Sequence, residues 1–214
     1  MASILLIEDR VERQELFTRE TGFNFQTYSD QLDNRTCLDI NNIDHYDTVI
    51  CHRSAFTQSS SNILELLKEH CKKTGTKLVF FSGGISSTFY SNRAYEFCIL
   101  NSKGFYSENL KIFLDDVKEN GDSNLRILAY GKKWKINLML NTLARVNEFI
   151  NDNSTREKVK IQRFNAFSQI ENLKGVIDID YPQSSSTGAL LMRDVSHFSD
   201  ELGKKINQEI MINA

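Results

Sequence analysis

The sequence is short of the residues that punctuate or staple a chain. One proline, Pro182, stands in 214 residues, so a rigid proline-rich linker is excluded. Four cysteines, Cys37, Cys51, Cys71 and Cys98, lie scattered with no C-x-x-C pair, and reduced thiols in the cytoplasm are the expectation. Long apolar runs are missing too: residues 4–7 and 78–81 are far too short to span a bilayer. The opening Met-Ala-Ser-Ile-Leu-Leu-Ile-Glu-Asp has no basic lead and does not read as a signal peptide. Neither sign of charge prevails. The 26 basic and 28 acidic side chains leave −2, with a pI near 6.1, which gives no general pull toward nucleic acid or anionic lipid. There is no nucleophile elbow, no H-E-x-x-H and no glycine-rich dinucleotide loop. What is present is an ordinary globular composition, 40% hydrophobic, 25% charged and 10% aromatic, which excludes collagen-like, low-complexity and wholly disordered chains.

Apolar runs alternate with helical patterns, the signature of an α/β sheet. Residues 4–7 read as a buried strand and 11–21 as a helix carrying Val11, Leu16 and Phe17. A weaker strand is expected near 23–28, then strands at 46–51, 77–81 and 95–100. Ser59, Ser60 and Ser61 read as caps for a helix over 62–73 whose Ile63, Leu64, Leu66 and Leu67 face inward. A helix over 107–119 stops at Asn120-Gly121. Five strands in about 120 residues make one doubly wound, flavodoxin-like parallel domain over 1–120. A second, smaller α/β unit is expected over 121–214, with strands at 125–130, 159–164 and 176–179, a long helix over 133–150, a short one over 166–173 and a last one through Met211. Charge supports the division: residues 1–120 carry 13 basic and 17 acidic side chains, residues 121–214 carry 13 and 11.

Ligands of an open α/β sheet sit beyond the carboxyl ends of the strands, where the strand order reverses. Those ends carry Glu8-Asp9, His52-Arg53 and Ser82-Gly83, and the fifth strand runs into Lys103. Ile-Leu-Leu-Ile-Glu8-Asp9, Ser82 and Asn101-Ser102-Lys103-Gly104-Phe105 resemble the corresponding segments of response-regulator receiver domains. The resemblance implies an acidic pair that binds a divalent metal, a small hydroxyl residue, a conserved lysine, and a place in two-component signalling and phosphorelay. At the third strand, Asp47 stands where the family's strand opens, but His52 stands where it is phosphorylated on Asp, and Arg53-Ser54-Ala55-Phe56 replaces the Met-Pro turn.

An aspartyl phosphate cannot form on imidazole, and a metal site that loses its third carboxylate loses the oxygen-rich cage that Mg²⁺ prefers. The Mg²⁺ site is therefore expected to be lost or weak, with no cofactor. Three readings of His52 stand: a phosphohistidine acceptor, a transition-metal ligand with Glu8 and Asp9, or a partner of those acids that fills the degenerate pocket. The electrostatics favour the last. Lys103 is then an ion-pair partner of Glu8 or Asp9, or a solvated lysine.

In the second unit, residues 176–182 resemble a receiver's third strand, which places Asp180 at the acceptor position, but Tyr130-Gly131 supplies no acidic pair to hold a metal. Ser184-Ser185-Ser186-Thr187-Gly188 reads as an N-cap and mobile loop, with phosphate binding at the helix start as the other reading. Lys132, Lys133, Trp134 and Lys135 read as a solvated face without a helix-turn-helix signature. A unit of three strands leaves an open edge, so it packs on the first domain or on a second copy, or the chain is part of a longer protein. The expected function is non-enzymatic: an atypical receiver, a pseudo-receiver, that signals through protein partners or self-association. Phe89, Tyr90, Tyr95, Phe105 and Tyr106 would form the partner surface. The alternatives are a divalent-metal-dependent enzyme or binder built on Glu8, Asp9 and His52, and the N-terminal regulatory part of a larger signalling protein. No nucleic-acid or membrane partner is expected.

Overall fold

A computed structural model of the chain describes residues 3–8, 10–21, 26–27, 43, 45–55, 61–86, 88–160 and 167–212. Asp9, Cys37 and the serines at 59 and 60 lie outside them, as do the side chains of Val11, Leu16, Phe17, Ile63 and Leu64. The chain divides into two compact units, Met1–Lys132 and Lys133–Ala214.

The first unit is a six-stranded, mostly parallel α/β sheet. Its strands are β1 (Ile4–Ile7), β2 (Gln26–Thr27), β3 (Thr48–His52), β4 (Lys77–Ser82), β5 (Phe89–Ser91) and β6 (Phe97–Asn101), in the order β2-β1-β3-β4-β6-β5. Five run parallel, and β5, unforeseen in the sequence, pairs antiparallel with β6 at the edge. Every residue of β1 and β3 is buried, as expected of strands covered on both faces, where apolar residues run continuously and do not alternate. The chain passes from β1 to β2 on one side and continues through β3, β4 and β6 on the other, so the order reverses beside β1.

The register decides which side chains share a face. Leu5, Val49 and Leu78 align across the strands, as do Ile7, Cys51 and Phe80. They pack with Leu67 and Cys71 of α2 (Ser61–Thr74), with Tyr95 and Phe97 at the margin. Leu66, expected inside, is 42% exposed, because its neighbour Leu67 takes the inward position of that turn. Alternation sends Leu6, Ile50, Val79, Phe81, Cys98 and Leu100 to the other face, where all are buried. Cys71 and Cys98 are free thiols and buried, and Cys51 is buried in β3. Burial pushes the Cys71 thiol up to about 12 and raises that of Cys98 as well.

Helix α1 (Val11–Thr21) follows β1, and the short α3 (Ser102–Phe105) follows β6. Helix α4 (Glu108–Asn120) is capped by Ser107, whose hydroxyl accepts from the Asn109 amide, and stops at Gly121 in the left-handed region at φ 73°. Residues 125–130 are not the strand that the apolar run suggests. They form α5 (Leu125–Tyr130), capped by Asn124 and ended by Gly131 at φ 78°, and α5 packs on α4, β5 and β6 within the first unit. A short apolar run suits a buried helix as well as a buried strand, and here the asparagine cap and terminal glycine decide. The division therefore falls after Lys132, not at 121–124. The hydroxyls of Ser123 and Thr48 share a buried hydrogen bond of 2.6 Å, and Lys77 donates to Asp122 at 2.8 Å, so this segment is held to the first sheet.

The second unit comprises α6 (Trp134–Asp152), α7 (Phe167–Leu173), α8 (Met192–Ile212) and an antiparallel two-stranded ribbon of β7 (Lys158–Lys160) and β8 (Ala189–Leu191). Helix α6 packs along α8, and the Ser199 hydroxyl donates to Asn147 Oδ1 at 2.6 Å. No strand forms over 176–179. Those residues follow α7 as turns, pinned by the Tyr181 hydroxyl, which donates to the Leu173 and Ile177 carbonyls at 2.7 and 2.9 Å. Residues 184–188 precede β8 and not a helix, so the N-cap reading of the serine cluster does not hold.

Candidate functional site

The carboxyl ends of β1 and β3 meet where the strand order reverses. Since Ile7 pairs with Cys51, the next residues, Glu8 and His52, stand side by side on one face. Both are buried, the Glu8 side chain completely and the His52 side chain to 9% exposure. His52 Nδ1 lies 3.4 Å from Glu8 Oε1, and the Tyr106 phenol donates a short hydrogen bond to Glu8 Oε2. Arg13 of α1 brings a guanidinium nitrogen to 3.9 Å from the same oxygen, with its Cζ 5.8 Å from the Tyr106 ring centroid. Gln14 donates its side-chain amide to the Glu8 carbonyl at 3.0 Å, which ties the start of α1 to the end of β1.

Aromatic rings close the pocket from within. The His52 ring centroid is 4.9 Å from that of Phe81, which stacks on Phe105 at 4.0 Å and meets Tyr106 edge-on at 5.6 Å. Such a setting amplifies electrostatics in both directions: a buried carboxylate is costly unless donors and cations face it. Glu8 has a phenol, a guanidinium and an imidazole around it, so its charge is held by three side chains drawn from α1, β3 and the residue after α3.

The predicted pocket residues are only partly brought together. Glu8 and His52 meet as expected. Asp9 lies outside the described residues. Ser82, half-buried at the end of β4, accepts the Gly84 amide at 3.5 Å, and Asn101 at the matching end of β6 donates to the Ile85 carbonyl at 2.6 Å, which ties the 83–85 turn to that edge. Lys103 does not pair with Glu8. It is exposed on α3, a turn whose start is fixed by its own amide donating to Asn101 Oδ1 at 2.8 Å, and Arg13 takes the place beside the carboxylate. Among the described residues no group of three His, Cys, Asp or Glu side chains is placed to hold a metal ion. Asp180 is exposed in a loop, since the strand that would have presented it is absent.

The expected partner surface is also corrected. Tyr90 and Phe105 are fully buried. Tyr90 faces Cys98 across the β5–β6 pair under α5, with Arg126 5.7 Å from its ring and its hydroxyl donating to Glu96 at 3.1 Å. Phe105 is consumed by its stack on Phe81, and Tyr106 serves Glu8. Phe89 and Tyr95 remain half-buried, each against Phe97, at 6.3 and 5.8 Å between ring centroids. Tyr95 and Phe97, two positions apart, share a face, as residues i and i+2 of an extended run do, although β6 itself begins only at Phe97.

Arg13, Gln14 and the inward role of Tyr106 were not legible in the sequence. A weak trace existed in Arg13, five positions after Glu8 and facing back from the first turns of the next helix. No protein-family model matches this chain, nor does any curated protein or solved structure. Among the described residues no helix is long and apolar enough to cross a membrane.

Proposed function

We propose that the first unit is a receiver-like signalling module that has lost phosphate chemistry and acts through phosphorylation-independent contact with a protein partner or with a second copy of itself. One observation carries this reading: the imidazole of His52 sits 3.4 Å from the buried Glu8 carboxylate at the ends of β1 and β3, where Asp phosphorylation needs a carboxyl oxygen. The parallel strands β2, β1, β3, β4 and β6 lie side by side in that order with β5 antiparallel at the edge, and a mostly parallel α/β sheet whose order reverses beside β1 supports the likeness of architecture. A carboxylate already engaged by Tyr106, Arg13 and His52 is a poor ligand for a hard cation that wants several oxygens. The half-exposed rings of Phe89, Tyr95 and Phe97 support contact with a protein, since aromatic side chains are enriched in interface hot spots.

The test is an amide NMR spectrum of the full chain with Mg²⁺ and beryllofluoride or acetyl phosphate. The expected spectrum is unchanged. Saturable Mg²⁺-dependent shifts around residues 8, 52 and 82 would overturn the proposal. Shifts with Mn²⁺ or Zn²⁺ alone, abolished by His52→Ala, would favour a transition-metal site instead. In the His52→Asp variant a Mg²⁺ response is expected to appear, because a second carboxylate then stands beside Glu8.

A further inference from the structure

We propose that the second unit holds a binding pocket for a small phosphate-bearing molecule, between the β7–β8 ribbon and the loop that leads into β8. A cavity of about 450 Å³ is lined there by Lys158 of β7, by Gln183, Ser184, Ser185 and Thr187 of the loop, and by Leu191 of β8. That volume lies within the roughly 300–1,000 Å³ of small-molecule sites and exceeds what a bare anion fills.

The lining chooses the sign of the ligand. Lys158 is its cation, no acidic side chain lines it among the described residues, and no described ion pair neutralises Lys158. Lysine offers three N–H donors and no acceptor, the glutamine amide two donors, and each hydroxyl one. A phosphate group presents terminal oxygens that only accept, so it can use the donors that the loop leaves open: the Lys158 ammonium, the Gln183 amide proton not given to the Tyr181 carbonyl at 3.1 Å, and one hydroxyl of the Ser185–Thr187 pair.

The loop is shaped before any ligand arrives. The Ser185 amide donates to the Ala189 carbonyl at 2.8 Å and the Gly188 amide to the Ser185 carbonyl at 2.8 Å. The Ala189 amide donates to Ser185 Oγ at 3.2 Å, and the Ser185 and Thr187 hydroxyls lie 2.8 Å apart. That last bond uses one hydroxyl proton. If Ser185 donates it, the Thr187 proton stays available; if Thr187 donates it, the Ser185 proton does. Either way the pair keeps one donor for a ligand while the turn remains closed, so binding need not break the loop. Lys158 and the loop are brought together by the ribbon register, in which Lys158 pairs with Leu191 and Lys160 with Ala189. The site is independent of Glu8 and His52, and it stands or falls apart from the proposed signalling role.

The experiment is an amide NMR titration of the full chain at constant ionic strength with inorganic phosphate, phosphoserine and acetate. Saturable shifts confined to residues 158 and 183–191 are expected, with phosphoserine binding tighter than inorganic phosphate and acetate weakest. Lys158→Met, at an exposed position, should weaken phosphoserine binding about tenfold or more by removing a charge-assisted bond. Thr187→Ala should weaken it less, and both variants should keep the rest of the spectrum. Absence of saturable shifts, equal affinity for acetate, no gain of phosphoserine over inorganic phosphate, or unchanged affinity in Lys158→Met overturns the proposal.

Discussion

Replacing Tyr106 by Phe removes one oxygen from a buried site and nothing else of consequence to packing. The ring keeps its edge-on contact with Phe81, 5.6 Å between centroids, and its neighbour Phe105 at 4.8 Å. What is lost is a donor to a carboxylate whose side chain has no exposure. A hydrogen bond to a charged group contributes roughly 1.5–3 kcal/mol. Water cannot readily replace the phenol here, and the nearest remaining groups are the His52 imidazole at 3.4 Å and the Arg13 guanidinium at 3.9 Å. The expected destabilisation of the first unit is therefore about 2 kcal/mol. The only tryptophan, Trp134, lies in α6 of the second unit, so its fluorescence is the wrong probe. Native-state amide exchange in β1 and β3, at Leu6 and Ile50, reads the first unit directly. In a Glu8→Gln background the same substitution should cost less, with a coupling of about 1 kcal/mol or more between the two sites. A loss below about 0.5 kcal/mol, or full additivity with Glu8→Gln, refutes the account of Glu8 as a carboxylate held by the phenol.

Three further outcomes follow from the geometry. Gly131→Ala places a Cβ 2.8 Å from Asn109 Oδ1 at a positive φ of 78°, and should cost about 1–3 kcal/mol in thermal unfolding; part of this should return in an Asn109→Ala background, and equal costs in both backgrounds would contradict the steric part. The hydrogen bond from Lys77 holds the Asp122 carboxyl below the usual aspartate value of 3.8. Its contribution to stability is thus present above that pH and is lost as the pH falls through the lower folded value. Carboxyl NMR should show Asp122 titrating below 3.8 and returning toward it in Lys77→Met; an unmoved midpoint counts against the bond. Burial raises the thiols of Cys71 and Cys98, so both should resist iodoacetamide in the native chain at mildly alkaline pH and react once it is unfolded. Rapid native labelling at either position would contradict their placement in the core.

The elements that local rules govern were legible before the fold. Continuous β-branched and apolar runs marked β1, β3 and β4, the serine at 107 and the glycine at 121 marked the ends of α4, and the helical spacing of leucines marked α6. Where one local pattern fits two structures, the reading failed. Residues 125–130 are apolar enough for a strand, and the asparagine cap, the terminal glycine and the surfaces of α4, β5 and β6 together select the helix. Val176 to Asp180 offered strand-like residues without a partner strand, and the Tyr181 hydroxyl holds them as turns instead. The pocket was half legible: Glu8 and His52 follow from strand ends, whereas Arg13 and Tyr106 reach it across 98 positions of sequence in the longest case.

By itself, then, the order of residues determined that the chain builds α/β structure, that Cys51, Cys71 and Cys98 sit in apolar strands and a helix, and that an imidazole stands at the end of β3 with no carboxyl group there. Those are properties of residue type and short-range spacing. The tertiary structure decided that β5 turns back along β6, that Tyr90 and Phe105 are buried, that the units part after Lys132, and that Glu8 is held by Arg13 and Tyr106 with Lys103 left in solvent. The physical reason is that burial and charge pairing depend on which surfaces meet, and a short apolar run or a lone lysine carries no record of its eventual neighbour.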